Sequence, residues 1–290
     1  MKPKVSVKIT TYNHERFIAQ TLDSVLSQKV NFPFEIIVGE DCSTDKTRVF
    51  LQDYQRKFPD IIRLLLNERN MGGRYNALNT RRACRGEYVA FLDGDDYWTT
   101  PDKLQKQINF LDQHPECTIC FHNAKIIYDN GRDSHLFHNK PLKPFLTAED
   151  ILPGNIMPSC SMVFRNIFIE GMPKEFDQVP FGDWPIQICC IKKGKAGYIN
   201  EVMGAYRVHS GGVWSQGGTQ NPRVIIRHLK GELLFYQAAN KYLEYQHQDL
   251  LALKIATTRK EIFDELVKKP FKKTFSGLYS IYRTLKGNGR

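Results

Sequence analysis

Along the first 125 residues the apolar positions switch repeatedly between an extended and a helical period. Val5 to Thr10 reads as a strand, and from Glu15 to Gln28 the residues Phe17, Ile18, Leu22, Val25 and Leu26 fall on one helical face. Phe34 to Gly39 is an almost unbroken apolar run, as expected of a strand covered on both faces. Ser43 or Thr44 can cap a second helix carrying Val49, Phe50, Tyr54 and Phe58, which Pro59 stops. Ile61 to Leu66 predicts a third strand and Tyr88 to Leu92 a fourth. Leu104 to His114 predicts a helix and Thr118 to Phe121 a further strand.

This rhythm predicts an α/β fold with a mostly parallel, open, Rossmann-like sheet and helices on both faces. Ligands of such sheets bind beyond the carboxyl ends of the strands, and polar residues gather there. Thr10-Thr11-Tyr12-Asn13 follows the first strand, Glu40-Asp41-Cys42-Ser43 the second, Asn67 to Gly73 the third and Asp93-Gly94-Asp95-Asp96 the fourth. After a loop at about Arg132 to Leu146 the pattern loosens. Cys160 to Phe164 and Val202 to Val208 are strand-like and Trp184 to Lys192 is helical, and from Pro222 onward the chain is helical. No internal repeat is visible.

With 290 residues, 41% hydrophobic and 25% charged, the chain has room for one sizeable α/β domain and an appendage. No apolar run approaches the roughly 18–20 residues that cross a bilayer, and no apolar leader precedes the first strand, so a cytoplasmic address is expected. Seven cysteines, an odd number, suit a reducing compartment. Cys117 and Cys120 have the spacing of a zinc or redox pair with His122 nearby, yet no second pair follows. They read, like Cys189-Cys190, as small buried hydrophobes. His135 and His138 lie in a loop and are given no role.

The net charge of +10 is concentrated at one end. Lys268 to Arg290 holds seven bases and no acid, which leaves +3 for the preceding residues and argues against a nucleic acid partner for the main domain. In that tail Phe271, Phe275, Leu278, Tyr282 and Leu285 form one apolar helical stripe. Such a basic amphipathic helix suits an anionic membrane surface, or else packs on its own domain.

The acidic run Asp93 to Asp96 is the strongest chemical signal. Three carboxylates within four residues repel one another unless a counter-charge is present. A divalent cation is the simplest one, and oxygen ligands select Mg²⁺ or Mn²⁺. A solvated Asp-Gly turn is the plain alternative, but it gives no reason for two further acids before Tyr97 and Trp98. No GxGxxG follows the first strand, which disfavours a nicotinamide enzyme.

Three segments in order carry a resemblance: Val5-Ser6-Val7-Lys8-Ile9-Thr10-Thr11-Tyr12-Asn13, then Glu35 through Thr47, then Gly86 through Asp96. Together they resemble the family 2 inverting glycosyltransferases over about residues 4 to 215. The resemblance implies a GT-A fold, a nucleotide-sugar donor and a divalent metal. It implies a catalytic domain at 1–215, split into a nucleotide-sugar half (1–125) and an acceptor half (126–215), with a helical extension at 216–290. Thr10, Tyr12 and Asp41 are expected at the nucleotide, with Asp41 accepting a hydrogen bond from the base, a contact that suits uracil. Asp93 and Asp95 fit the family's DxD positions. The pair Asp95-Asp96 is the alternative alignment, leaving open which acids meet metal and which the ribose. One departure stands out: Cys42 occupies a turn position where the family usually has glycine, the residue best suited to positive φ.

Inversion needs a carboxylate within reach of the acceptor hydroxyl, and Phe181-Gly182-Asp183-Trp184 resembles the family's base motif, although Asp183 can equally be an N-cap. Tyr206 to Ser215 resembles a segment that closes over the diphosphate in related enzymes. Arg207 or His209 can bind phosphate there, and His209 can instead ligate the metal. Asn70, Arg74, Asn76 and Asn79 either contact donor or form an exposed helix start. The acceptor implied is a glycan or a lipid-linked saccharide, which would bring the enzyme to the inner membrane face. Two other classes remain open at this point: an aspartate-nucleophile phosphatase, and a non-catalytic nucleotide-sugar-binding or membrane-docking protein.

Overall fold

A computed structural model describes residues 2–167, 171–212 and 221–268. The tail stripe from Phe271 to Leu285 and the segment Val213 to Ser215 lie outside the described residues. The elements run β1 (Val5–Thr11), α1 (Ile18–Leu26), β2 (Phe34–Glu40), α2 (Thr47–Lys57), β3 (Ile62–Leu66), α3 (Gly73–Arg82), β4 (Tyr88–Asp93), β5 (Tyr97–Trp98), α4 (Lys103–Gln113) and β6 (Cys117–Tyr128). They continue with β7 (His135–Leu136), β8 (Phe145–Leu146), α5 (Ala148–Ile151), β9 (Val163–Arg165), α6 (Asp183–Ile191), β10 (Lys195–Val208), α7 (Pro222–Tyr242) and α8 (Gln248–Phe263).

The main sheet has the order β3-β2-β1-β4-β9-β6-β10-β5. The first four strands are parallel, the open-sheet arrangement expected, and β6 and β10 form a second parallel pair. The short β9 joins the halves antiparallel to both β4 and β6. Strand alternation divides the core. Val5, Val7 and Ile9 face α1, α2 and α4 in one cluster, while Val89, Phe91 and Ile119 join α6 and α7 in the other. The mostly parallel open sheet with helices on both faces is the architecture the sequence predicted.

Local departures have local causes. Ser43 and Thr44 do not cap α2, whose cap position is Lys46 without a side-chain cap. They bond Asn13 instead: Ser43 Oγ accepts from the Asn13 N–H at 3.0 Å, and Asn13 Oδ1 accepts from the Thr44 N–H at 2.8 Å. With α2 starting at Thr47, its buried face is Thr47 and Leu51, and Val49 points to solvent. β6 runs well past Phe121, through His122, Asn123 and Lys125, because this stretch is still paired with β10. Cys160 sits in a 3₁₀ turn (Ser159–Ser161) rather than in a strand. All seven cysteines are free, and Cys117, Cys120, Cys189 and Cys190 are buried as expected of structural thiols.

Candidate active site

Parallel pairing of β1 with β4 places Lys8 opposite Phe91 and Thr10 opposite Asp93, all on one face of the sheet. Thr10 Oγ1 donates to Asp93 Oδ1 at 2.8 Å. Beneath it Lys8 Nζ donates to Thr10 Oγ1 at 3.2 Å and lies 3.8 Å from the centre of the Phe91 ring. Lys8 is buried, and that burial depresses its ammonium pKa against the pull of the Asp93 charge.

The turn after β4 is held from two sides. The Gly94 N–H donates to the Thr10 carbonyl at 2.8 Å, and Thr21 Oγ1 on α1 donates to the Asp96 carbonyl at 2.7 Å and lies 3.0 Å from the Gly94 carbonyl. Asp95 Oδ2 then lies 3.0 Å from His209 Nε2 and 3.8 Å from His14 Nε2. Burial pushes the Asp95 carboxyl pKa up, but the His209 hydrogen bond and the His14 charge outweigh it and hold it below its usual range. One ligand atom from each of His14, Asp95 and His209 lies within 4.8 Å of the others. Two imidazoles and a carboxylate in that space fit a divalent cation.

Asp96 is not among these three groups. Its Oδ1 accepts from the Arg207 N–H at 2.8 Å and the residue is 1% exposed, because Asp96 leads into β5, which pairs with β10. Burial, then the charges of Asp95 and Asp93, raise its carboxyl well above the usual range. Arg207, a candidate phosphate ligand, is paired within the protein in this structure. Its guanidinium donates to the Asp95 carbonyl at 2.8 Å and to Gln20 Oε1 at 2.8 Å, and it lies 4.6 Å from the centre of the Phe17 ring. Committed to these partners, it holds the acidic turn in place.

On the other side of β1, Asp41 ends up buried. Its Oδ1 accepts from Asn67 Nδ2 and the Met71 N–H, both at 2.8 Å, and its Oδ2 from the Gly72 N–H at 2.9 Å. The carboxylate thereby organises the loop after β3, while Tyr12, just past β1, is exposed. Cys42 adopts the left-handed conformation, with φ +60°, that favours glycine. Among the polar residues after β3, Asn76 is buried and donates to the Gly39 carbonyl at 2.8 Å, and Arg74 donates to the Phe176 carbonyl at 2.9 Å. Both hold structure together rather than forming an exposed helix start.

Asp183 opens α6, with Gly182 in the cap position and no side-chain cap there. Asn155 Nδ2 donates to Asp183 Oδ2 at 2.8 Å, and the buried Gln187 donates to Asn155 Oδ1 at 2.9 Å. Burial raises the Asp183 carboxyl above the ordinary aspartate value. The Asn155 hydrogen bond works against this shift and the nearby Asp93 charge adds to it. Sequence reasoning missed His14, Lys8 and Asn155. A lysine inside a strand of buried apolar residues was a readable signal for Lys8. His14 lies one residue past the polar run after β1, and nothing local marks Asn155.

Residues 6–171 match the family model described as glycosyl transferase family 2. Over 219 residues, 74% of this chain, the sequence is 33% identical to an uncharacterized protein of Mycobacterium tuberculosis, and the chain spans 62% of that relative's length. TuaG of Bacillus subtilis, a glycosyltransferase assigned to teichuronic acid biosynthesis, is 33% identical over 211 residues, or 71% of this chain and 80% of TuaG. The structure of S. aureus TarS 1–349 with UDP-GlcNAc shares the fold, with a TM-score of 0.59 over 92% of this chain and 82% of that one, at 18% identity. Motif order, the acids gathered at the strand ends and these likenesses agree: the chain belongs to glycosyl transferase family 2.

Proposed function

We propose that the chain is an inverting, metal-assisted sugar transferase that uses a UDP-linked donor and a hydroxyl of a glycan or lipid-linked saccharide as acceptor. The observation carrying this reading is the convergence of Thr10, Asp93, Asp95 and His209 at the carboxyl ends of β1, β4 and β10, with the buried Asp183 close enough to feel the Asp93 charge. The UDP-GlcNAc bound by TarS and the polysaccharide role assigned to TuaG support the donor and acceptor classes.

In this reading Tyr12 and the Asp41-ordered loop bind the base, and Thr10 holds Asp93 toward the ribose. Asp95 and His209, joined by His14, hold Mn²⁺ or Mg²⁺. A bound cation supplies charge neutralisation for the diphosphate. Asp183 accepts the proton of the acceptor hydroxyl as that oxygen bonds to the sugar C1 and the C1–diphosphate bond breaks. Its raised pKa makes it a stronger base than a solvated aspartate, and Asn155 fixes which oxygen is presented. No described helix is long and apolar enough to cross a membrane. The basic tail from Lys268 to Arg290 would meet an anionic membrane surface carrying a lipid-linked acceptor.

The test is transfer from a panel of UDP-sugars to glycan and lipid-linked acceptors with Mn²⁺, followed by mass and by NMR of the product anomer. A transferred hexose with inverted configuration is expected. A retained configuration, or inorganic phosphate released with no sugar moved, would overturn the reading.

A further inference from the structure

We infer that His14 makes the acidic turn a three-ligand metal site that loads before any nucleotide arrives and prefers Mn²⁺ or Zn²⁺ to Mg²⁺. This rests on Asp95 being a metal ligand, as proposed above. Two atoms each about 2.1 Å from one ion are about 3.0 Å apart at a right angle and about 3.4 Å apart at the tetrahedral angle. The Asp95–His209 spacing is 3.0 Å and the Asp95–His14 spacing is 3.8 Å. All three ligand atoms lie within 4.8 Å of one another, so the His14 ring must turn toward both Asp95 and His209 to close the set around an ion.

The surroundings of His14 are built for that role. The two imidazoles meet edge to face at 5.9 Å, and the Phe17 ring packs at 4.8 Å from His209 and 6.4 Å from His14. His14 Nδ1 and Thr11 Oγ1 are both buried without a hydrogen-bond partner. A neutral imidazole bound to metal through Nε2 must carry its proton on Nδ1, and ligating histidines usually hand that proton to an acceptor. Thr11 Oγ1, the other orphaned atom, borders the same small space: a Cβ placed on Gly94 would lie 2.6 Å from Thr11 Oγ1 and 2.9 Å from His14 Nδ1, so a turn of the imidazole on binding metal would bring that proton to Thr11. The glycine of the acidic run thus keeps open the space in which these two atoms sit.

Selectivity follows from the ligand types. Mg²⁺ favours oxygen, keeps its water and is typically held by one or two carboxylates plus substrate phosphates. Imidazole suits transition metals. One carboxylate with two imidazoles is therefore a weak Mg²⁺ site, and three protein ligands need no phosphate to complete them.

The experiment is a Mn²⁺ titration of the nucleotide-free full chain by electron paramagnetic resonance, with Mg²⁺ and Zn²⁺ as competitors. One Mn²⁺ per chain is expected, with nitrogen modulation in the pulsed spectrum, displacement by equimolar Zn²⁺ and none by equimolar Mg²⁺. His14→Ala should bind Mn²⁺ at least about tenfold more weakly, and Gly94→Ala should also weaken it while leaving every ligand residue present. Mn²⁺ uptake only after UDP is added, absence of nitrogen modulation, or unchanged affinity in His14→Ala would each overturn the inference. The wild-type spectrum decides even if a variant misfolds. Metal uptake is read without donor or acceptor, so uptake without sugar transfer would sink the transferase reading alone. Transfer with uptake only after UDP would sink this one alone.

Discussion

At the scale of single residues, the chemistry turns on a buried carboxylate and the amides that steer it. Asp183 must be ionised to accept a proton, so the rate falls as pH drops through its raised pKa. The Asn155 hydrogen bond lowers that pKa. Asn155→Ala should therefore shift the acid limb of the kcat profile to higher pH and reduce kcat at pH 6 more than at pH 8. A parallel loss across the pH range would assign Asn155 a packing role only. Residue identity along the chain announced the acids but not their division of labour. Asp93, Asp95 and Asp96 look alike in sequence, yet they meet Thr10, two histidines and a backbone N–H respectively. The partner of each acid comes from a segment distant in sequence, and local patterning carries no record of it. Cys42 was legible as a departure, and the structure shows that the backbone tolerates it with φ still positive.

At the scale of elements, the strands were legible because burial on both faces leaves apolar runs, and the helices because one apolar stripe recurs. Ends and antiparallel insertions were not. β9 is three residues long and β6 continues through polar positions that only pairing with β10 explains. The start of α4 shows a cost hidden from pattern reading. Lys103 opens this helix with its Nζ fully buried, unpartnered and 3.8 Å from the centre of the Trp98 ring, and burial drops its pKa to about 7. Below pH 7 the lysine is charged in both the folded and unfolded chain, and the whole burial cost is present. Between pH 7 and 10.5 the folded chain is neutral there while the unfolded chain still binds the proton, so the cost is relieved as pH rises. Lys103→Met should stabilise the protein by on the order of 3–5 kcal/mol at pH 6. The gain should shrink toward pH 10 in urea melts, and a pH-independent gain would contradict the assignment.

At the scale of the whole molecule, the C-terminal helices complete the core that carries Asp183. The Trp184 ring stacks on Phe235 of α7 at 3.9 Å, and Phe176, Tyr236 and Leu251 belong to the same buried cluster. A cut at residue 215, where the sequence suggested a catalytic domain would end, would bare Trp184 one residue from the proposed base. Phe235→Ala should lower stability by about 3–5 kcal/mol in denaturant titration and reduce activity with it. Loss of activity at unchanged stability would instead place Phe235 at the acceptor. The central claim is that one carboxylate performs the proton transfer at a separately assembled donor and metal site. Its most direct test is to measure donor binding and sugar transfer on the same preparation of Asp183→Asn. Binding of the UDP-sugar within about twofold of wild type, with transfer down by about 10²-fold or more, is the predicted result. Transfer at the wild-type rate would contradict the account.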